Sequence, residues 1–328
     1  MGNTVYTCVK YTPKYFNIWN DFVAASKNAT FLFYRDFMEY HQDRFHDFSL
    51  LVFKDDSLIA IFPANQNENA VLSHQGLTYG GLMLQDDVAF NDVVFAYKEL
   101  LKFLYENSIN QLHIKLLPKI YHTLPSDEIN YLLFKTNAEL TRRDITSVID
   151  AKYKLPLQSS NRKRGLKKAI SHGLVVKEVD DFDEFWNTIL IPNLQAKHQT
   201  NPVHSVAEIT KLKKSFPNNI RQFNVYHEEK LVAGVTIFDT KHVAHVQYIS
   251  ADANKQSLGS LDFLFNHLIN SVFKTKKYFD FGISNVHQGK QINEGLLSWK
   301  ESFGARTIVH EFYQVDTKNH VELNSVFI

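Results

Sequence analysis

Residues 277–315 read KYFDFGISN, VHQGKQINEGLLSWKESFGA and RTIVHEFYQV, and this stretch decides how the chain is understood. Tyr278 to Ile283 is a short apolar run with an acid at Asp280 and a glycine at Gly282. That is the pattern of a buried strand whose end is closely approached by other backbone. A polar loop follows, and then Ile292, Leu296, Trp299 and Phe303 recur at spacings of four and three. This predicts a helix closed by Gly304, with Lys300 beside its apolar face. Arg306 to Val315 reads as a return strand. Strand, open loop, helix and strand make a crevice with a cation at its lip, and the chemistry is expected there.

Working backwards, Gln222–Tyr226, the pair Glu228-Glu229 and Leu231–Phe238 predict a hairpin. His242–Ser250 reads as a further strand and Leu258–Phe273 as a helix. The same order occurs in the first half. SLLVFKDDSLIAIF there answers QFNVYHEEKLVAGVTIF here, with an acidic pair before a Lys/Ser-Leu-Ile/Val-Ala sequence in both. Helices are expected at Tyr15–Ala25, Tyr34–Arg44 and Val93–Tyr105, and strand at Val71–Leu84 and Gln111–Leu117. An internal duplication explains the order, and helices alternating with strands and hairpins predict mixed α/β lobes. The expected division is 1–150 and 151–328.

At the start of the second lobe, residues 161–172 read NRKRGLKKAISH, a basic linking helix capped by Ser159, Ser160 or Asn161 and ended by Gly173. Leu166, Ala169 and Ile170 are expected to face inward. Basic residues in a first helical turn oppose the helix dipole at a cost of roughly 0.3 to 1 kcal/mol each, so Arg162 and Arg164 are candidates to meet phosphate. A solvated charge run is the plainer alternative.

Composition bounds the rest. Apolar residues are 44% and charged residues 22% of 328, so the chain is globular. A net charge of +1 argues neither for nor against nucleic acid, so basic features are judged locally; no DNA partner is expected. One cysteine, Cys8, excludes an internal disulfide. The opening MGNTVYTCVKYTPKYF lacks the apolar core of a signal peptide, and no run approaches the roughly 20 apolar residues that span a bilayer. The expected location is the cytoplasm. The fifteen histidines show no metal-ligand spacing, and His242 and His245 fall on opposite strand faces, so no metal is expected.

The basic helix, Y-F-D-F-G-I-S-N, E-G-L-L-S-W-K-E-S-F-G-A and the duplicated lobes together resemble the FemAB-like branch of the GNAT acyltransferase superfamily. The resemblance implies tandem GNAT lobes and transfer of an acyl group to an amine. It implies that the strand at His242–Ser250 splays from Tyr278–Ile283 and admits a thioester arm. Acyl-CoA or an acyl carrier protein would be the donor and an amine of a cell-envelope precursor, an amino sugar, lipid or peptide, the acceptor. An aminoacyl-tRNA donor, or a precursor-binding protein without catalysis, are the alternatives. The phosphate loop of such lobes corresponds to Gln256, Leu258, Gly259 and Ser260, although Leu261 stands where the pattern has a small residue.

Acyl transfer needs a deprotonated amine, a stabilised oxyanion and a protonated leaving group. Lys300 occupies the family's lysine position, and Tyr248 could protonate the leaving group. Either Asp280 or His287 could act as base. His74 and Tyr79, with Gly80-Gly81 and Ser284, are candidates to hold the acceptor.

Overall fold

The computed structural model describes residues 4–156 and 159–328, so Met1–Asn3, where the reading of the N-terminus begins, lie outside the described residues. The chain forms two compact units. Among the described residues, the first comprises 4–144, 288–290 and 309–328, and the second 145–156, 159–287 and 291–308.

The first unit opens with β1 (Tyr6–Lys10) and α1 (Phe16–Ala25), then α2 (Arg35–Met38), which continues as a 3-10 turn over Glu39–His41. The helix expected to reach Arg44 is therefore one turn long. Strands β2 (His46–Asp47), β3 (Leu50–Lys54), β4 (Ser57–Phe62), β5 (Asn65–Asn67), β6 (Ala70–Leu72) and β7 (Met83–Leu84) come next. The strand expected over 71–84 is thus two short pieces around a loop, because His74 takes a left-handed φ of 67° that ends the extended run. Helix α3 (Phe90–Glu106), β8 (Gln111–Lys115) and α4 (Glu128–Lys135) complete this part. One sheet has the order β1-β3-β4-β7, and β8 pairs parallel with β6. Helix α3 buries Val94, Tyr97, Leu101 and Leu104, the positions its periodicity selects, in a core with Leu50, Phe62 and Leu112.

Strand β9 (Glu139–Asp150) leads into the second unit through α5 (Ser160–Ser171), β10 (Val175–Val179), α6 (Asp183–Phe185), α7 (Ile191–His198) and α8 (Val206–Ser215). The hairpin β11 (Ile220–His227) and β12 (Lys230–Asp239) precedes β13 (Val243–Ala251), α9 (Lys255–Leu258), α10 (Ser260–His267) and β14 (Tyr278–Ile283). The sheet is mixed: β10, β11, β12 and β13 are antiparallel neighbours, β14 is parallel to β13, and β9 is antiparallel to β14. A small hairpin, β15 (Asn285–Val286) with β16 (Gln291–Ile292), precedes α11 (Glu294–Glu301) and β17 (Arg306–Asp316). Ile292 belongs to β16 and not to the helix, which starts where the Asn293 side chain accepts from Leu296 N–H.

Two boundaries differ from the division at 150. Residues 145–150 pair with β14, and Phe312–Asp316 pair with β8, so the chain's last residues belong to the first unit. A sequence cut cannot anticipate such returns, since strand pairing is non-local. No helix among the described residues is long and apolar enough to cross a membrane.

The two hairpins match in detail. In the first, Phe53 faces Leu58 and Val52 faces Ala60, leaving Ile59 as a bulge. In the second, Tyr226 faces Leu231 and Val225 faces Ala233, leaving Val232 as the bulge. Bulges are placed features, so the shared register is independent support for duplication.

Candidate active site

Strands β13 and β14 pair only at Val243–Tyr278, Ala244–Phe279 and His245–Asp280. Beyond that point β13 runs on to Ala251 and β14 to Ile283 without pairing to each other. Each strand is bent where it leaves its neighbour. On β13 the register to β12 shifts between the pairs Thr236–Tyr248 and Ile237–Val246, making Gln247 the extra residue. On β14 the shift falls between Asp280 and Ile283, at Gly282 with φ of 75°. The left-handed φ explains the glycine, because a side chain is strained there. The result is a slot whose facing backbone groups a ligand can satisfy.

The floor of the slot is charged. Asp280, 2% exposed, accepts from the Thr146 hydroxyl and from Gly282 N–H at 2.8 Å, and its Oδ2 lies 3.0 Å from His245 Nδ1. Burial alone would push this carboxyl up, yet the charge and hydrogen bond of His245, with those of Thr146 and Gly282, hold it at about 2. It is a permanent anion at neutral pH and a weak base, suited to orienting His245. In the sequence His245 is weighed only as a metal ligand; its place one pairing position before the splay is the signal for a role beside Asp280.

Lys300 is not at a lip. It is 3% exposed, and its ammonium donates to Gly282 O at 2.8 Å and Ile283 O at 2.7 Å. Burial pushes its pKa down to about 8, with Asp280 acting in the opposite direction. Two of its three donors thus pin the bent end of β14. Ser284, next in the chain, is buried, and its hydroxyl has no hydrogen-bond partner among the described residues.

Tyr248 lies farther along β13, with its ring edge-on to Trp186 at 4.8 Å. Its hydroxyl is 2.6 Å from His204 Nδ1. Burial, only partly offset by the His204 N–H and Gln247, pushes its pKa up to about 12, so it holds its proton at neutral pH. His204 stands just before the capping box of α8, in which Ser205 and Glu208 exchange hydrogen bonds. That capping box is the readable sequence signal for a fixed histidine beside a helix start, and it is absent from the expected site. His287 is exposed at the turn of the β15–β16 hairpin with φ of 50°.

The expected phosphate loop is folded under α5. Gly259 has φ of 69°, and a Cβ there would lie 2.1 Å from Gly165 O. Conversely, a Cβ on Gly165 would lie 1.7 Å from Asp262. The two glycines let α5 and α10 meet backbone to backbone. Leu258, Gly259 and Ser260 are buried, and Gln256 is exposed. Arg162 is tied to Asp262, while Lys163, Arg164, Lys167 and Lys168 stay exposed on α5. Ala169 faces inward as expected, but Ile170 is 63% exposed, since Gly165 takes the contact face.

In the first unit, Tyr79 is buried in the core and donates to Thr30 Oγ1 at 3.2 Å. Gly80 approaches Ser73 O, where a Cβ would lie at 2.1 Å. His74 lines a separate cavity.

No family model matches the chain, and no curated protein matches it by sequence. Solved structures do match. The crystal structure of FemX superposes with a TM-score of 0.64 at 10% identity, over 96% of this chain and 99% of that one. A tandem GNAT protein from the clavulanic acid biosynthesis pathway gives 0.52 at 8% identity, over 96% and 99%. The fold is the tandem GNAT fold. This GNAT-fold chain is also similar to the C-terminal domain of a putative lysylphosphatidylglycerol synthetase from Agrobacterium fabrum, with a TM-score of 0.55, 13% identity and coverage of 81% and 84%.

Proposed function

We propose that this chain is an acyltransferase that moves an acyl group from a thioester, acyl-CoA or an acyl carrier protein, to an amine of a cell-envelope precursor. The observation that carries the reading is the loss of pairing between β13 and β14 beyond His245 and Asp280, with titratable side chains along the gap. An extended donor arm there would satisfy backbone groups that neither strand satisfies for the other. His245, oriented by Asp280, takes a proton from the attacking amine as the C–N bond forms. Lys300, held on Gly282 O and Ile283 O at the bent end of β14, serves in this reading as the positive charge that offsets the growing oxyanion. As the C–S bond breaks, Tyr248 protonates the leaving thiolate and recovers its proton through His204. Protons balance over the cycle: His245 gains the one the amine loses and later releases it to solvent, the thiol gains the one Tyr248 gives, and solvent restores Tyr248 through His204. The lysylphosphatidylglycerol synthetase domain among the similar structures supports an envelope lipid as the kind of acceptor.

The test is direct. Purified protein with a panel of acyl thioesters should release free thiol only when an amine is present, and absence of turnover with every donor would remove the proposal.

A second reading has its own support. The exposed cations Lys163, Arg164, Lys167 and Lys168, and the burial of Gly259 and Ser260 under α5, favour an aminoacyl-tRNA donor over a nucleotide pyrophosphate at that helix start. Affinity for charged tRNA should then fall steeply as salt rises. Binding that ignores salt would eliminate this version.

A further inference from the structure

The first unit holds a cavity of about 420 Å³ that the transfer chemistry does not use. Its wall is built around Arg35, which is 3% exposed on α2. The guanidinium donates to Glu39 at 3.0 Å, to Ser49 Oγ at 3.3 Å and to Asp47, and it lies 3.7 Å from the centre of the Tyr11 ring. Tyr11 also donates to Glu39 at 3.4 Å, and Ser49 N–H donates to Asp47 at 2.7 Å. The side chains of Glu39 and Asp47 nevertheless remain 37% and 33% exposed. Arg35 therefore serves to aim two carboxylates, and an incoming anion would meet both of them.

Opposite lies a neutral, donor-bearing wall. His74 has a left-handed φ of 67° and stacks on His41 at 4.9 Å. Its Nδ1 accepts from Gly76 N–H at 3.2 Å, which leaves the ring proton on Nε2. Burial, then the neighbouring His41, pushes its pKa down to about 3, so it stays uncharged. Gly76 is required, since a Cβ there would lie 2.1 Å from His41. Strained backbone held around a cavity is characteristic of binding sites. Phe16 and Phe45 add flat apolar faces, and Gln42 an amide with both donor and acceptor.

We infer that this pocket binds an aminated sugar, with the ligand's ammonium on Glu39 and Asp47, a ring face on the aromatic wall, and hydroxyls on Gln42 and His74. Arg35, Glu39 and Asp47 together leave one negative charge for a monocation to neutralise. Planar polar groups beside aromatic faces suit a polyol, which has both edges and faces to recognise. The inference stands on the pocket alone and does not need the transfer reaction.

Calorimetric titration of the whole protein with glucosamine, without any acyl donor, tests it. Saturable binding is expected, with N-acetylglucosamine and glucose at least about tenfold weaker because each lacks the charge. Glu39→Gln should weaken glucosamine about tenfold while leaving the melting temperature near that of the parent, since Glu39 is partly exposed. His74→Asn, which tolerates the left-handed backbone, should weaken glucosamine and glucose alike. No saturable binding, equal affinity for the acetylated sugar, an unchanged E39Q variant, or preferential binding of inorganic phosphate would each overturn the inference. Failure of acyl transfer would leave it untouched.

Discussion

The two hairpins, β3–β4 and β11–β12, share their register, their bulge and their acidic turn, but their next partners differ. After β4 the next antiparallel partner is the two-residue β7; after β12 it is the nine-residue β13. The longer strand carries Gln247 and Tyr248 beyond its last position paired to β14, His245, while the first unit gathers charge around Arg35 in a cavity. One scaffold thus supports an unpaired strand edge in one unit and a solvent-accessible charged cavity in the other.

The sharpest way to break this contrast is at the two acids, Asp280 and Asp47. Asp280→Asn removes the anion facing His245 and should cost about 3 kcal/mol in urea unfolding, with transfer activity lost. Asp47→Asn, at a partly exposed pair where Arg35 keeps Glu39, should cost about 1 kcal/mol. Equal losses would end the distinction. Acid dependence is expected as well. Asp280 has a folded pKa of about 2 against an ordinary 3.8, so its contribution is complete above pH 3.8 and is lost as pH falls through about 2. D280N should flatten that acid limb.

Lys300→Met should leave binding of a donor analogue measurable but lower turnover about a hundredfold, if its charge serves the oxyanion. Its folded pKa near 8 lies below its ordinary 10.5, so the folded protein binds fewer protons between those values and stability from this group rises there with pH. The methionine variant should lack the rise in chemical unfolding.

Gly259→Ala should destabilise by about 3 kcal/mol, because a clash with Gly165 O adds to left-handed strain. Gly173→Ala has a similar φ of 66° but nothing within 4 Å, and should cost only about 1 kcal/mol. Matching losses would mean that the close approach of α5 and α10 carries no energy. The smallest effect belongs to the hairpin turns. Glu228 and Glu229 both have positive φ, 47° and 65°, so Glu229→Gly should raise thermal stability by about 0.5 to 1 kcal/mol.

Much of the fold is legible in the sequence because its signals are local. Apolar spacing marks α3, the acidic pairs mark both turns, and Gly173 and Gly304 sit at positive φ as helix ends. The site is legible in part. Asp280, Tyr248 and Lys300 all flank or support the slot, but His245 and His204 gain significance only from neighbours 35 and 44 positions away. Gly259 reads as a phosphate loop because sequence shows that a glycine is needed, not whether a ligand or another backbone needs it.

By itself the sequence determined the periodicities, the duplicated hairpin and the order of elements, all set by side-chain pattern within a few residues. Only the tertiary structure decided that β13 and β14 part after His245, that Lys300 is buried on two carbonyls, and that the chain from Val309 onward belongs to the first unit. Those outcomes depend on which distant backbone groups pair and which are left over, and that balance belongs to the assembled fold.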